Sequence, residues 1–274
     1  MANRKAIGIF DSGIGGLTVA SAISKLMPDE QIIYFGDTEH MPYGEKSEEA
    51  IRYFSKKISA FLIEQDCKAI IIACNTASSL AFQTVLDEFG DKAEVFNVVD
   101  PIVEAVTSDN SIDRIGIIGT KQTIKSNVYE IKLKEQNKDL QIKSFATPLL
   151  AQMIEEGFFN CEISRMVVDR YLEKANFENL NGFILACTHY PMIKQDIINL
   201  YGDHISIYDS TKHVAEHVKK KLTELDMLTD VRQDQDHFYV SDLTESFANT
   251  ASLFYQGPLK LEKIHLWEDQ VNAL

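Results

Sequence analysis

Basic residues, cysteines and long apolar runs are all scarce in this sequence, and each scarcity excludes a class of function. Lys and Arg number 27 against 41 Asp and Glu, which gives a formal net charge of −14. A chain of this charge is repelled by phosphate backbones and by anionic membrane surfaces. No apolar run approaches the roughly 20 residues of a membrane-spanning helix. We therefore expect neither a nucleic-acid partner nor a membrane partner.

Cysteines are too few for a disulfide framework in a chain of 274 residues. The four are Cys67, Cys74, Cys161 and Cys187. Neither C-x-x-C nor H-x-x-x-H spacing, the local signature of a zinc site, occurs near Cys74 or Cys187. The sequence therefore predicts free thiols and no metal cofactor. Residues 1–5 lead directly into an apolar strand rather than into the apolar segment of a signal peptide, so we expect a cytoplasmic protein.

Two short segments of the chain read alike, Ala-Cys-Asn-Thr-Ala at 73–77 and Ala-Cys-Thr-His-Tyr at 186–190. Each follows a short apolar run, 69–72 or 182–185, of the kind that forms a buried strand. In open α/β sheets, ligands bind where such strands end. A cysteine after a strand is often only a packing residue, but both of these are followed at once by hydrogen-bonding side chains. We therefore expect the two thiols to face one another across a cleft.

The spacing of apolar residues and of helix caps predicts alternating strands and helices throughout the chain. Strands are predicted at 6–10, 32–35, 69–72, 95–99, 114–120, 182–185, 205–208, 237–240 and 261–266. Helices are predicted at 17–27, 47–65, 77–89, 211–225 and 244–255, with a break at Asp100 and Pro101. The first strand and the cysteine strand recur after this break at nearly the same spacing, which predicts a duplicated unit.

This repeat predicts an α/β fold of two similar doubly wound domains related by a pseudo-twofold axis, with the active site in the cleft between them. The expected first domain is discontinuous, residues 1–97 plus 210–274, because the last strands have no counterpart in the repeat. The expected second domain is residues 98–209.

The turn after the first strand, Asp-Ser-Gly-Ile-Gly-Gly, invites comparison with the dinucleotide fingerprint G-x-G-x-x-G. Gly13 and Gly15 match the first two glycines, but Thr18 stands at the third position. Asp37 is the acidic residue that the fingerprint would place on a ribose, whereas Asp11 would repel the phosphates. A nucleotide-binding or regulatory module is therefore kept as an alternative function.

Two thiols on opposite sides of a small ligand are suited to inverting a carbon centre. One thiolate removes a proton from one face, while the other group, as a thiol, gives a proton to the opposite face. A helix N-terminus after each of Cys74 and Cys187 is expected to bring the pKa of each thiol toward neutrality. Asp11 and His189 are candidates for the groups that relay the protons.

Polar side chains near the two thiols indicate what the cleft binds. Hydroxyl and amide groups suit a carboxylate better than a sugar or a base, and they are Ser12, Asn75, Thr76 and Thr188. Neutral donors are expected here because the field of an acidic protein opposes an anionic ligand. From the residues alone, Glu155 in the segment 148–157 is typical of a solvated helix end.

Six segments, taken together in this order, resemble the glutamate racemases of the aspartate/glutamate racemase family. They are 11–18 (DSGIGGLT), 34–38 (YFGDT), 42–44 (PYG), 73–77 (ACNTA), 118–120 (IGT) and 187–191 (CTHYP). The resemblance runs from the first strand to about Ser210. It implies an isomerase that interconverts L- and D-glutamate without a cofactor. Such an enzyme supplies D-glutamate for peptidoglycan synthesis, and hence for cell wall biogenesis and cell shape.

The resemblance also implies roles for individual residues. Cys74 is expected to act on the D-enantiomer with help from Asp11. Cys187 is expected to act on the L-enantiomer with help from Glu155 and His189. The residues implied to bind the substrate are Asp11, Ser12, Tyr43, Gly44, Asn75, Thr76, Thr188 and His189.

Two points stay open beside this reading of the sequence. The nearest alternative activity is racemisation of aspartate or another acidic amino acid, because a thiol pair fixes the reaction but not the side-chain length of the substrate. The expected partner is L- or D-glutamate, and the assembly is open between a monomer and a homodimer.

Overall fold

A computed structural model describes residues 5–202, 204–232 and 234–267, the side chain of Ser246 excepted. Within these ranges the chain forms ten strands and twelve helices. The strands are β1 (Ile7–Asp11), β2 (Ile32–Gly36), β3 (Ala69–Ile72), β4 (Glu94–Asn97), β5 (Arg114–Gly119), β6 (Gln141–Ala146), β7 (Gly182–Ala186), β8 (Ser206–Asp209), β9 (His237–Val240) and β10 (Leu261–Lys263).

The helices lie mostly between consecutive strands, as in other α/β folds. They are α1 (Leu17–Leu26), α2 (Glu48–Glu64), α3 (Asn75–Leu80), α4 (Phe82–Phe89), α5 (Val99–Ser108), α6 (Lys121–Lys125), α7 (Val128–Gln136), α8 (Pro148–Glu155), α9 (Glu162–Ala175), α10 (Lys194–Tyr201), α11 (Lys212–Glu224) and α12 (Glu245–Phe254). Short 3₁₀ turns lie at Tyr43–Glu45 and Tyr190–Ile193. None of the helices in the described ranges combines the length and the apolar composition that a membrane span requires.

Two parallel sheets organise the molecule. The first has six strands in the order β10-β9-β2-β1-β3-β4, and the second has four in the order β6-β5-β7-β8. The run β2-β1-β3-β4 has the same order as β6-β5-β7-β8, so the predicted duplication is visible in the topology. The two cysteine strands, β3 and β7, occupy equivalent places in the two sheets. β9 and β10 extend the first sheet beside β2.

Apolar side chains cover both faces of each sheet. Helices α2, α3 and α4 bury one face of the first sheet, and α5 and α7 bury one face of the second. The remaining faces share one continuous core, to which Ile14 and Leu17 contribute from the first half and Leu150 and Tyr190 from the second. Burial of an aliphatic side chain of this size contributes about 1.5–3 kcal/mol. The two halves are therefore joined by apolar packing directly below the strand ends.

Four predicted elements differ in the structure, and one of them is the strand expected at 261–266, which ends at Lys263. The single helix expected at 77–89 is two helices. Cys74 caps α3, which begins two residues before the expected start, and Ala81, with φ −120°, interrupts the helical run between α3 and α4. The strand expected at 95–99 ends at Asn97, whose side-chain oxygen accepts hydrogen bonds from the backbone N–H groups of Val99 and Asp100 and starts α5 there. Asp100 and Pro101 mark no break, since both lie in the first turn of α5, where a proline is tolerated.

Candidate active site

One small cavity lies where the carboxyl ends of strands from both sheets meet. Its volume is about 30 Å³, which is room for about two water molecules. Ligand pockets usually measure about 300 Å³ or more, so this conformation leaves little room for a ligand. Ten of the expected residues line it: Ser12, Tyr43, Gly44, Cys74, Asn75, Thr76, Glu155, Cys187, Thr188 and His189. Asp11 is fully buried and hydrogen-bonded to Thr188.

Cys74 lies at the N-cap of α3 on the first-sheet side of the cavity. Its Sγ accepts a hydrogen bond from the Ala77 N–H at 3.5 Å, and its thiol faces Ser12 Oγ at 3.6 Å. Burial and then the Asp11 carboxylate raise the pKa of Cys74 to about 12, although the Ala77 N–H and the Ser12 hydroxyl act in the opposite direction. The expected helix N-terminus is present, but burial and the Asp11 carboxylate outweigh its effect on the pKa of Cys74. Cys74 is therefore a neutral thiol, ready to give a proton.

Asp11 ends β1 and connects the two halves behind the cavity. Its Oδ2 accepts from the Gly13 N–H at 3.1 Å, and its Oδ1 faces Thr188 Oγ1 at 3.5 Å. Burial raises the pKa of Asp11, and the charge of His189 and the N–H groups of Gly16 and Gly13 offset part of this. The Asp11 carboxylate thus interacts electrostatically with Cys74 on one side of the cavity and with His189, the neighbour of Cys187, on the other.

Cys187 follows β7 on the opposite side and has a different set of partners. Its Sγ lies 3.6 Å from His189 Nδ1, and His189 Nε2 lies 2.7 Å from Glu155 Oε1. Burial alone lowers the pKa of His189, but the Glu155 carboxylate and the hydrogen bonds to Cys187 and Glu155 outweigh it and hold the pKa well above its ordinary value. His189 is therefore an imidazolium, and such a cation stabilises negative charge on a neighbouring sulfur.

Two expectations about this side are corrected by the geometry. Cys187 does not cap an α-helix, because a 3₁₀ turn at Tyr190–Ile193 comes before α10. Its electrostatic partner is the imidazolium rather than a helix N-terminus. Glu155 is not a solvated helix end, since its side chain is only 14% exposed in the ion pair with His189.

Neutral donors from both halves complete the cavity wall. The hydroxyls of Thr76 and Thr120 lie 2.9 Å apart across the two halves, and both contact Thr123. The Tyr129 hydroxyl donates to Asn75 Oδ1 at 2.6 Å. This leaves Asn75 Nδ2 buried and without a hydrogen-bond partner among the described residues. A buried, unpaired amide donor in the cavity wall is suited to an anionic ligand.

Some residues of the site were not predicted. Met41, Pro42, Thr120, Ala151 and Gln152 also line the cavity. The signal that could have identified Thr120 was its place in the segment 118–120, directly after β5. Tyr129 carried no such signal, because only the packing of α7 against the first half brings it to Asn75.

The glycine turn after β1 accommodates the second half of the molecule. A Cβ atom on Gly15 would lie 2.5 Å from His189 Nδ1 and would also collide with Thr188 Oγ1. A Cβ atom on Gly16 would lie 2.5 Å from the Cβ atom of Asp11. Side chains of the second half therefore lie directly against this turn, and its glycines serve the packing of the two halves. This geometry gives no support to the alternative of a nucleotide-binding module.

The fold and the site together define a class: an amino-acid racemase built from two similar α/β domains, with one thiol on each side of a single cavity. Residues 17–218 match the sequence model of the Asp/Glu/hydantoin racemases. The chain belongs to this family, and the resemblance predicted from the motifs is confirmed.

Comparisons with individual proteins narrow the position within the family. The chain is 37% identical over 254 residues to glutamate racemase 3 of Caldanaerobacter subterraneus, and the match covers 92% of both chains. The structure is similar to glutamate racemase of Francisella tularensis in complex with D-glutamate, with a TM-score of 0.90, 35% identity and coverage of 97% and 99%. An aspartate racemase of Picrophilus torridus shares the fold alone, with a TM-score of 0.56 at 17% identity. The chain therefore groups with the glutamate racemases.

Proposed function

We propose that this protein interconverts L- and D-glutamate by a two-thiol, two-base mechanism and supplies D-glutamate for peptidoglycan synthesis. The observation that carries the proposal is the pair of buried thiols, Cys74 and Cys187, in one cavity with different electrostatic partners. The test is the decay of the circular dichroism of L-glutamate in the presence of the purified protein. We expect decay to zero with no cofactor added, and a stable signal would contradict the proposal.

The two partner sets suggest the direction in which each thiol works. In the conversion of L-glutamate, Cys187 acts as a thiolate beside the His189 imidazolium and removes the α-proton. The neutral Cys74 thiol then gives its proton to the opposite face of the same carbon, which yields the D-enantiomer. Asp11 on one side and His189 with Glu155 on the other relay protons that restore the starting state. The reverse reaction exchanges the two roles.

Substrate binding is assigned to the neutral donors of the cavity wall. Asn75 Nδ2 is a buried amide donor with no partner in the described part of the chain, and Thr76 contributes a hydroxyl that also joins the two halves. Ser12, Thr188 and the backbone of the turn at Tyr43 and Gly44 complete the neutral donors, and Asp11 and His189 are the charged groups proposed to bind the substrate. Because the closed cavity is smaller than an amino acid, the substrate enters when the halves separate, and closure then excludes water from the reacting carbon.

The first prediction concerns the choice between glutamate and aspartate. A pocket that pairs the distal carboxylate leaves buried donors unmatched when the side chain is one methylene shorter. Each unpaired buried polar group costs about 1–3 kcal/mol, so kcat/KM for aspartate is expected to be lower by about a hundredfold or more. The proposed donors are Thr188 and the N–H groups of the Cys187 turn. Initial rates on the two L-enantiomers measure the ratio, and equal rates would show that only the α-amino-acid portion is recognised.

A second prediction is that racemisation needs no metal, flavin, nicotinamide or pyridoxal phosphate. It rests on acid–base chemistry that the two thiols and their partners supply on their own. Activity is expected to persist after exhaustive dialysis against a chelator, and the absorbance spectrum of the dialysed protein is expected to contain no cofactor band. Loss of activity that added zinc restores would overturn this prediction.

A third prediction concerns Glu155 and the pH dependence. In Glu155→Gln the imidazole of His189 stays buried but loses the carboxylate, so its pKa falls. The imidazolium is then lost at a lower pH, and the alkaline limb of kcat/KM is expected to move to lower pH. Once the pKa of His189 lies below the working pH, the protonated fraction falls tenfold for each further unit, so activity at pH 8 is expected to fall by about tenfold.

The matched control for this variant is Glu156→Gln, which removes the same charge from the next, exposed residue. The control is expected to keep the pH profile of the native protein. An alkaline limb that stays in place in Glu155→Gln would show that the carboxylate does not set the protonation of His189.

We also propose the domain boundaries. The first domain comprises residues 1–97 plus 210–274, of which 1–4, 233 and 268–274 lie outside the described residues. The second comprises 98–209, of which 203 lies outside them. The pairing of β9 and β10 with the first sheet supports this division. The assembly, a monomer or a homodimer, is decided by light scattering of the purified protein.

A further inference from the structure

A buried carboxylate that takes no part in the proton transfers lies one residue beyond β2. Asp37 is fully buried, and four donor groups converge on it. The Tyr43 hydroxyl lies 2.7 Å from Oδ2, while Ser241 Oγ and Trp267 Nε1 lie 2.9 and 3.1 Å from Oδ1. His40 Nδ1 lies 3.0 Å from Oδ1 and 3.1 Å from Oδ2. A carboxylate has about four acceptor positions, so the set of donors matches its capacity.

These donors come from parts of the chain that are far apart in sequence. Tyr43 belongs to the 3₁₀ turn that lines the cavity, and Ser241 follows β9. Trp267 lies four residues beyond β10, in a segment held by the hydrogen bond from Ile264 N to Val240 O at 2.9 Å. Asp37 therefore connects the wall of the substrate cavity to the C-terminal strands of the first sheet.

Ring contacts hold the Trp267 side chain against the same turn. Its indole ring meets the edge of His40 at 4.7 Å and of Phe54 at 5.4 Å between centroids. His40 in turn stacks on Phe54 at 4.2 Å, and Phe54 packs on Tyr43 at 5.6 Å. The indole N–H is thus directed at Asp37 by packing on α2.

The hydroxyl of Tyr43 is committed to this carboxylate rather than to the cavity. Burial and the neighbouring Asp37 carboxylate raise the pKa of Tyr43 well above its ordinary value, so the group stays a neutral donor. The next residue, Gly44, packs so closely on the second half that a Cβ atom there would lie 2.8 Å from the Cβ atom of Thr120. A displacement of Tyr43 therefore moves the contact at which the two halves close.

We propose that Asp37 is a positioning residue for substrate binding, and that Trp267 completes the hydrogen-bond set through which the C-terminal segment fixes the Tyr43 turn. The proposal rests on the proposed racemase function. It adds that the affinity for glutamate depends on Trp267, which lies outside the cavity and in the C-terminal part of the chain that has no counterpart in the repeat. Proton transfer itself does not depend on Asp37, because neither thiol contacts it.

Two variants test the proposal by the separation of KM from kcat. In Asp37→Asn an amide offers only one acceptor oxygen to four donors and adds two donors of its own, so KM for D-glutamate is expected to rise about tenfold or more. Trp267→Phe keeps the ring and loses the N–H, and a smaller rise in KM is expected. In both variants kcat should stay within about threefold of the native value, because a loss confined to substrate binding leaves the chemical step unchanged.

The matched control is Asp242→Asn, which removes a carboxylate from the residue after Ser241. Asp242 is half exposed and pairs with Lys263. Its replacement therefore changes the net charge by the same amount as Asp37→Asn and leaves the hydrogen bonds to Asp37 in place. KM and kcat are expected to be native in this control. An unchanged KM in both test variants would overturn the proposal, and so would a loss confined to kcat.

Fluorescence provides a readout that a purely structural role would not produce. Trp267 is the only tryptophan of the chain, and its emission is expected to change saturably as D-glutamate is added. In Tyr43→Phe the link to the cavity is cut, so this response is expected to be lost. An active native protein whose emission does not respond to saturating glutamate would overturn this proposal alone, whereas a native protein without racemase activity would overturn the proposed function.

Discussion

Replacement of either thiol by a hydroxyl is expected to lower kcat/KM for racemisation by about 10²- to 10⁴-fold, which is the usual contribution of a positioned acid–base group. Serine keeps the shape of Cys74 or Cys187 but is too weak an acid to exchange protons near neutrality. The two enantiomers of glutamate have equal free energy in water. The loss of kcat/KM in each variant must therefore be the same in both directions of the reaction.

The difference between the two thiols becomes visible only in a one-way reaction. Glutamate with chlorine on carbon 3 loses its α-proton and chloride when one base acts, and no second proton donor is needed. Cys187→Ser is expected to release chloride from the D-configured compound only, and Cys74→Ser from the L-configured compound only. Circular dichroism of the unliganded variants checks that both are folded. A single variant that racemises glutamate at the native rate would contradict the two-base mechanism.

Gly15→Ala is expected to lower kcat/KM by about a hundredfold or more. The added Cβ atom would lie 2.5 Å from His189 Nδ1, so the imidazole must move or the halves must stay apart. A displacement of about 1 Å in a catalytic group typically costs about this factor. Initial rates of the purified variant measure the loss.

The control for this substitution lies two residues earlier in the same turn. A Cβ atom on Gly13 would lie 3.5 Å from Glu155 Oε1 and 3.6 Å from Met41 Sδ, which are ordinary contact distances. Gly13→Ala is therefore expected to keep activity of the native order of magnitude. Equal losses in the two variants would show that the turn needs glycine for its backbone rather than for the approach of His189.

Much of the fold was predictable because its strands are short apolar runs with polar ends. The segments 69–72 and 182–185 identified β3 and β7. The similar residues that follow the two strands, Cys74 after the first and Cys187 after the second, indicated both the repeat and the cavity. The assignment of helix 47–65 was also secure, since Ser47 caps α2 through its side chain. Local sequence determines such features, so tertiary structure was not needed to find them.

The remaining features depend on contacts between distant segments. Burial raises the pKa of Cys74. The sequence indicated the helix N-terminus that follows Cys74, but it did not show how deeply the thiol is buried. Trp267 reaches Asp37 only because β9 and β10 join the first sheet beside β2. The closeness of Gly15 to His189 likewise follows from the packing of one half on the other. Sequence patterns within either half contain none of this information.

In the proposed mechanism two different groups serve the two faces of the α-carbon, and solvent isotope incorporation separates this mechanism from one with a single base. L-glutamate is incubated with the protein in D₂O, and the reaction is stopped at low conversion. The D-glutamate formed is expected to carry deuterium at the α-carbon, while the recovered L-glutamate still carries protium. D-glutamate that retains the original proton, or L-glutamate that gains deuterium faster than product forms, would show that one base serves both faces and would contradict the two-base mechanism.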